Sequence, residues 1–565
     1  MNLLLLTLIS IILLSAGYFL YGNLLNKWLN LRNDQPTPAH EFRNNIDFVP
    51  AGKTYLLGQH LSAIAAAGPI VGPILAGMWF GWLPTFLWVI FGGIFIGGVH
   101  DMVTIVASLR HQGKSIAEVL RETMGKRPFI IFLLFLWFSL VYIITAFTDI
   151  TASTFMDETR GAGVASSSMM YLGLALIMGL ILKKFPLPLG ITTAIFIPLV
   201  FVCIYLGPVL PLKLPALFGL DLKATWNMAL LAYCFFAAVI PVWLLLQPRG
   251  YLGGFFLTLT AGASFLGIVI GNFTQGFIIQ YPAFTGWTNP QGFPLLPILF
   301  TTVACGACSG FHCLIASGTT SKQLSKETDA RVVGYGGMLL ESFVAVIALS
   351  TVMILTSSQA QALKDPNQIY ANGIAIFLNS IGVNREFALN FALLAFATFV
   401  YDTLDVATRL GRYIFQELTG WRATWSAYAA TVITLILPVI FLTHPIVDAQ
   451  GNVIPGWKIF WTVFGSSNQL LAAIVLFGLS LWLFKKPQTK NDSKLFLVTL
   501  LPSFFMILVA VISLYLVIKP WLQTIFIQKQ FALDPIGITG AMLLLLTLFL
   551  LVEGARIFWV GNRKG

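Results

Sequence analysis

Long apolar runs alternate with short polar connections along the whole chain. The runs fall near residues 3–22, 56–77, 83–108, 129–156, 162–182, 188–207, 224–246, 251–271, 295–317, 332–357, 388–408, 424–443, 459–484, 495–518 and 537–559. A helix of about 20 apolar residues crosses the hydrocarbon core of a bilayer. The pattern therefore predicts an all-α polytopic membrane protein of about fifteen transmembrane helices. Two runs carry helix-weakening residues: 56–77 is rich in Gly and Pro, and 295–317 in Gly, Cys and Ser. The first run lacks a basic start and a small-residue cleavage pattern, and it closes on Tyr18-Phe-Leu-Tyr21, so a retained span is expected rather than a signal peptide.

Composition agrees with the pattern. Hydrophobic residues make up 57% of the chain, charged residues only 10%, and mean hydropathy is +0.85. Average soluble domains carry about 25% charged residues. The net charge of +11 suggests nucleic acid at first sight, but the basic residues sit in short loops between apolar runs, with no basic domain to carry such a function. Placing the N-terminus outside and alternating sides puts 25 of the 33 Lys and Arg in cytoplasmic loops, Arg249 among them. That bias follows the positive-inside rule and predicts a cytoplasmic C-terminus. The longest connections, near 23–55 and 358–387, are too short for an independent soluble domain. The five cysteines all lie in apolar runs, which disfavours a disulfide framework.

The orientation also suggests internal symmetry. Spans two to six and spans seven to eleven form two five-helix units of opposite direction, the topology of inverted-repeat transporters. The expected division is a leading helix at 3–22, a first repeat at 56–207, a second at 224–408 and trailing helices at 424–559, all in one membrane domain spanning 1–565. The first helix of each unit carries a break signal: Gly68-Pro69 with Gly72-Pro73 in one, and Pro241 in the other. Proline removes a backbone donor and clashes with the preceding turn. Pro241 alone reads as a simple kink, whereas two Gly-Pro steps four residues apart read as a true break, of the kind that lines a substrate or ion cavity.

Longer motifs then narrow the class. Gly58-Gln-His60-Leu-Ser-Ala-Ile-Ala-Ala-Ala-Gly68-Pro-Ile-Val-Gly72-Pro-Ile-Leu-Ala76 is followed by Gly81-Trp-Leu-Pro84 and His100-Asp101. A second block runs Ala304-Cys-Gly-Ala-Cys-Ser-Gly-Phe-His312-Cys-Leu-Ile-Ala-Ser-Gly-Thr-Thr320, then Thr328-Asp-Ala-Arg331 and Gly334-Tyr-Gly-Gly-Met-Leu-Leu-Glu341. Shorter pieces are Pro241-Val-Trp-Leu-Leu-Leu-Gln-Pro-Arg249, Asp402-Thr-Leu-Asp405-Val-Ala-Thr-Arg409 and Phe464-Gly-Ser-Ser-Asn468. Over most of residues 50–480 this series resembles the carbon starvation protein A (CstA) family. The chain departs from the family pattern at Gln59, where the family has a second histidine, and at Cys308. The resemblance implies membership of the amino acid–polyamine–organocation superfamily, with a five-plus-five LeuT-like core. It also implies proton-coupled uptake of peptides, or of pyruvate, across the bacterial inner membrane when carbon is short.

Ionisable side chains within spans are costly and become functional candidates by default. The candidates for the substrate and ion pathway are His60, Ala67, Gly68, Pro69, Gly72, Pro73, Asp101, Asp149, Ser309, Gly310, His312, Glu341 and Asp402. Asp101 has Arg110 as an alternative structural partner. Asp405 and Arg409 have the i, i+4 spacing of a salt bridge, which leaves Asp402 as the freer acid. Cys305, Cys308, His312 and Cys313 have zinc-like spacing, with 305, 308 and 312 on one helical face, but their Gly, Ala and Ser neighbours read as close helix packing. Asn468 and Gln469 read as interhelical hydrogen-bonding groups, and Phe80, Trp82 and Trp88 as an interfacial aromatic belt. No mid-membrane Lys or Arg stands out to hold a substrate carboxylate, so a helix N-terminus at 68–73 is expected to do so.

The reading is a secondary transporter for a small molecule, peptides first and pyruvate second. It has lipid as its surroundings, no nucleic-acid partner, no metal or cofactor, and protons or sodium as the coupling ion. A channel, a nutrient sensor and a membrane enzyme are the alternatives. The asymmetric single chain, the missing signalling module and the missing nucleophile–base pair weigh against them respectively.

Overall fold

A computed structural model describes residues 2–561 except 45–47, 66, 186, 218, 364, 424, 445, 448–452, 455, 486–490 and 528–533. Ala66 of the first motif, and Lys486, Lys490, Arg563 and Lys564 of the charge tally, lie outside the described residues.

The main helices are α1 (Leu3–Leu29), α2 (Lys53–Ile64), α3 (Gly68–Phe80), α4 (Trp82–Arg110), α5 (Lys126–Phe155) and α6 (Gly161–Lys184). They continue with α7 (Leu189–Leu206), α8 (Leu222–Val239), α9 (Leu246–Thr274), α10 (Leu295–Thr302), α11 (Phe311–Ile315) and α12 (Arg331–Met353). The last are α13 (Arg385–Thr419), α14 (Ser426–Thr443), α15 (Gly456–Lys485), α16 (Asp492–Phe526) and α17 (Pro535–Gly561). A two-residue antiparallel ribbon, Ile446–Val447 with Val453–Ile454, joins α14 to α15. Among the described residues, thirteen helices are long and apolar enough to cross a membrane, and the bent pair α2–α3 makes a fourteenth span.

Thirteen of the fifteen expected spans therefore match one to one. The other two are the two weak runs, and both are broken. The run at 56–77 bends by 47° between α2 and α3. The break falls just before Gly68, and the Gly-Pro steps belong to the start of α3. Pro69 sits in the first turn, where a missing N–H costs nothing. The run at 295–317 is not a continuous span: α10 stops at Thr302, and helix resumes at Phe311. Pro241 needs a different correction. It lies in the turn between α8 and α9, outside both helices, so it neither kinks nor breaks a span.

The two breaks lie against each other. Helix α3 packs on α10 and α2 on α11, so the broken helices cross antiparallel. Their closeness requires glycine. A Cβ on Gly72 would stand 2.5 Å from the carbonyl oxygen of Thr302 and 3.3 Å from Val303 Cα.

Apolar side chains face outward on the outer helices, as with Phe19, Phe236, Phe273, Leu501 and Leu545. The ionisable side chains of the spans, such as His60, Asp101, Arg249, His312, Glu341 and Asp402, are inside. This is the arrangement that lipid as solvent demands. Phe80, Trp82 and Trp88 are buried in protein and do not form an interfacial belt.

Candidate functional site

In hydrocarbon every backbone group of an unwound segment needs a protein partner. The segment 303–310 and the residues flanking it find partners on three other helices, in side chains and in one backbone carbonyl. Trp88 Nε1 donates to the Val303 carbonyl at 3.0 Å, and Ser342 Oγ donates to the Gly306 carbonyl at 3.1 Å. The Asn468 carbonyl accepts from Gly310 N at 3.1 Å, and its side-chain oxygen accepts from Phe311 N at 2.8 Å. The Asn468 amide donates to Ser309 Oγ at 2.9 Å, and Gln469 Nε2 donates to the Phe300 carbonyl at 2.9 Å. The expected interhelical bonding by Asn468 and Gln469 is present, and its purpose is to hold the break open. Because 303–310 is not helical, Cys305, Cys308 and His312 share no helical face. Cys305 Sγ faces Ser309, while His312 turns to carboxylates.

Those carboxylates form the first charged cluster. His312 Nδ1 lies 2.8 Å from Asp101 Oδ2, and His312 Nε2 lies 3.2 Å from Glu341 Oε2. His100 Nδ1 lies 2.7 Å from the other Asp101 oxygen. All four side chains are fully buried. The Nδ1 contact with Asp101 is a hydrogen bond, whereas the Nε2 contact with Glu341 is at ion-pair distance without an aligned hydrogen bond. The alternative Asp101–Arg110 pairing is not formed: Arg110 pairs with Glu327 at 2.9 Å. Asp101 comes from α4, His312 from α11 and Glu341 from α12, so the cluster ties three helices together at the second break.

The second cluster lies beside the first break. Arg249, in the first turn of α9, is buried with Asp402 and Asp405 of α13. Its Nη1 donates to Asp405 Oδ2 and to the Tyr233 hydroxyl, and that hydroxyl donates to Asp405 at 2.7 Å. Its Nε lies 2.9 Å from Asp402 Oδ1, as an ion pair without an aligned hydrogen bond. The other Asp402 oxygen accepts from the Ser62 hydroxyl in the last turn of α2. The expected Asp405–Arg409 pair does not form. Arg409 Nη2 instead donates to the carbonyls of Ala237 and Ile240, at the end of α8 where the chain leaves helix. A burial-driven reason is plain: α9 brings a second cation deeper, and the carboxylates take it.

Between the clusters stands His60. Its Nδ1 lies 2.8 Å from Thr320 Oγ1, and its Nε2 has no hydrogen-bond partner among the described residues. His60, Thr320, Arg249, Asp402 and Asp405 wall a narrow cavity of about 30 Å³. That is room for one or two waters. At the far end of α3 a larger chamber of about 550 Å³ is lined by Leu75, Met78, Trp79 and Ile298.

Most of the expected site residues are thus brought together. Gly68, Pro69, Gly72 and Pro73 lie at the crossing with 302–306, and Ala67 starts α3. Ser309 and Gly310 lie in the second break. His60, Asp101, His312, Glu341 and Asp402 form or join the two clusters. Asp149 stands apart: it pairs with Lys223 at 2.9 Å and accepts from Trp457 N at 2.9 Å, which makes it a tie to the start of α15. The sequence reading missed Arg249, Ser62, His100 and Asn468 as site groups. Arg249 directly precedes a glycine-rich apolar run, and in sequence such a position is indistinguishable from a loop cation.

Two antiparallel broken helices and buried ion pairs in an all-helical bundle define a membrane transporter of the LeuT-like fold. A solved manganese transporter of Eremococcus coleocola, bound to an aromatic bis-isothiourea compound, shares this fold. It has 12% identity, a TM-score of 0.50, and coverage of 91% of this chain and 99% of that one. Sequence comparison resolves the family. The chain matches "Carbon starvation protein CstA" over residues 2–371 and 360–513. It is 31% identical to the peptide transporter CstA of Bacillus subtilis (strain 168), over 84% of each chain. It is 32% identical to the pyruvate/proton symporter BtsT of Escherichia coli (strain K12), over 85% of this chain and 77% of that one. The chain belongs to the carbon starvation protein CstA family.

Proposed function

We propose that this chain imports a small carboxylate-bearing carbon source by proton symport across the bacterial cytoplasmic membrane during carbon shortage. Peptides are the first substrate reading. The observation that carries the proposal is Arg249, a buried guanidinium at a cavity walled by α2, α9, α13 and the segment that follows the second break. A guanidinium fork matches a carboxylate bidentately, and a peptide C-terminus and pyruvate both offer that group. It replaces the helix N-terminus that the sequence suggested for this task. The tightness of the cavity favours pyruvate as the second reading, because a dipeptide requires far more widening. The proposed orientation has the N-terminus outside and the C-terminus in the cytoplasm, supported by the Lys and Arg bias of the loops.

The test is uptake of labelled dipeptide and labelled pyruvate into proteoliposomes under an imposed proton or sodium gradient. Accumulation should follow the proton gradient and collapse with a protonophore. Flux that ignores both gradients would refute symport. Arg249→Lys keeps the charge but loses the fork, and should raise the KM for either substrate.

A further inference from the structure

We infer that Asp402 carries the coupled proton, and that protonating it releases Arg249 to the substrate carboxylate. The inference rests on the reading of Arg249 given above.

Arg249 is already flanked by two carboxylates. A substrate carboxylate would be a third anion around one buried cation. It fits only if one aspartate gives way, and an aspartate left buried and ionised without a partner is strongly disfavoured. A proton on the departing aspartate removes that obstacle.

The geometry selects which one departs. Asp405 is held on Oδ2 by two aligned bonds, from Nη1 of Arg249 and from the Tyr233 hydroxyl, while its Oδ1 has no hydrogen-bond partner among the described residues. Asp402 has only the unaligned Nε contact on one oxygen and Ser62 on the other. Ser62 lies in the last turn before the first break, so a change at Asp402 is transmitted directly to the hinge of α2 and α3. Gly253 keeps this junction tight, since a Cβ there would run into both Asp402 and Ser62. The other titratable groups facing the site are His60 on α2, Tyr171 on α6, Tyr233 and Cys234 on α8, and Asp405, Tyr401 and Arg409 on α13 itself.

The cycle balances. One proton adds to Asp402 with each substrate carboxylate that takes Arg249, and both leave on the other side. Pyruvate then moves electroneutrally, whereas a zwitterionic dipeptide carries one positive charge.

The experiment uses the full chain, purified and in proteoliposomes, with pyruvate and a dipeptide as probes. In the parent protein, binding of either should weaken about tenfold per pH unit on the alkaline side, the slope of one linked proton. Asp402→Asn should bind with a flat pH profile and exchange substrate without gradient-driven accumulation. Ser62→Ala removes only a donor to the ionised Asp402, and should shift the pH of half-binding upward with the fold intact. Potential-driven pyruvate uptake, or an Asp402→Asn protein that keeps the parental pH slope, would overturn the inference. So would Glu341→Gln abolishing the slope while Asp402→Asn retains it, because the proton would then belong to the His312 cluster. Parental affinity for both pyruvate and the dipeptide in Arg249→Lys and Arg249→Gln, with cooperative unfolding preserved, would instead sink the Arg249 reading itself.

Discussion

Replacing Asn468 with alanine removes the side chain that completes the second break. Three buried groups lose a partner: the Phe311 N–H, 2.8 Å from Asn468 Oδ1, the Ser309 hydroxyl, which accepts from its Nδ2 at 2.9 Å, and, more weakly, the Cys305 sulfur at 3.5 Å. The hydroxyl can rotate to another acceptor, but the N–H is fixed by the start of α11. A buried donor left unpaired costs about 1–3 kcal/mol. Bonds within membrane proteins are worth less on average, about 0.6 kcal/mol, because the unfolded chain in lipid also finds partners. The fixed N–H takes the first figure and the mobile hydroxyl the second, a total of about 2.6 kcal/mol at mid-range. That is roughly eightyfold in the population of the intact break. Asn468→Ala should therefore lower the thermal midpoint of the detergent-solubilised protein and its initial rate of uptake together. Asn468→Asp keeps an acceptor for Phe311 N–H and should recover part of the stability. An Asn468→Ala protein with parental midpoint and parental rate would refute the claim that the break depends on this residue.

Gly72→Ala sets a Cβ against the backbone of Thr302 and Val303, which cannot move independently of the break; overpacking of about 1–3 kcal/mol is expected in thermal denaturation, with transport impaired. His312→Ala leaves Asp101 and Glu341 buried without their shared cation and should cost about 3–5 kcal/mol. Adding Glu341→Gln should restore part of that loss, so a double-mutant cycle should be clearly non-additive. Tyr335→Phe removes the hydroxyl that donates to the carbonyls of Gly17 and Ile94, where π-helical turns of α1 and α4 meet a third in α12. About 1 kcal/mol of destabilisation is expected, measured as a shift in thermal midpoint.

The sequence by itself determined the class of structure, because a bilayer imposes one period and one length on any helix that crosses it. Thirteen spans could be read from apolar runs alone. The two runs weakened by Gly, Pro, Cys and Ser were visible as exceptions, and both proved to be broken helices. What was not legible was which exception mattered for symmetry. Pro241 looked like a kink inside a span, yet it lies in a turn, while the 295–317 run looked like a span and is interrupted at 303–310.

Charge showed the same division. His60, Asp101, His312, Glu341 and Asp402 were suspicious because lipid tolerates no unpaired ion. Their partners depended on helices far apart in sequence. Local spacing paired Asp405 with Arg409, and a loop count placed Arg249 in the cytoplasm. Tertiary packing overruled the pairing and the loop, because α9 carries Arg249 within a helix to ion-pair distance of Asp402 and Asp405, while Arg409 is taken by the carbonyls at the end of α8. A sequence fixes where a charge enters the chain. Only the fold decides which opposite charge, buried with it, has nowhere else to go.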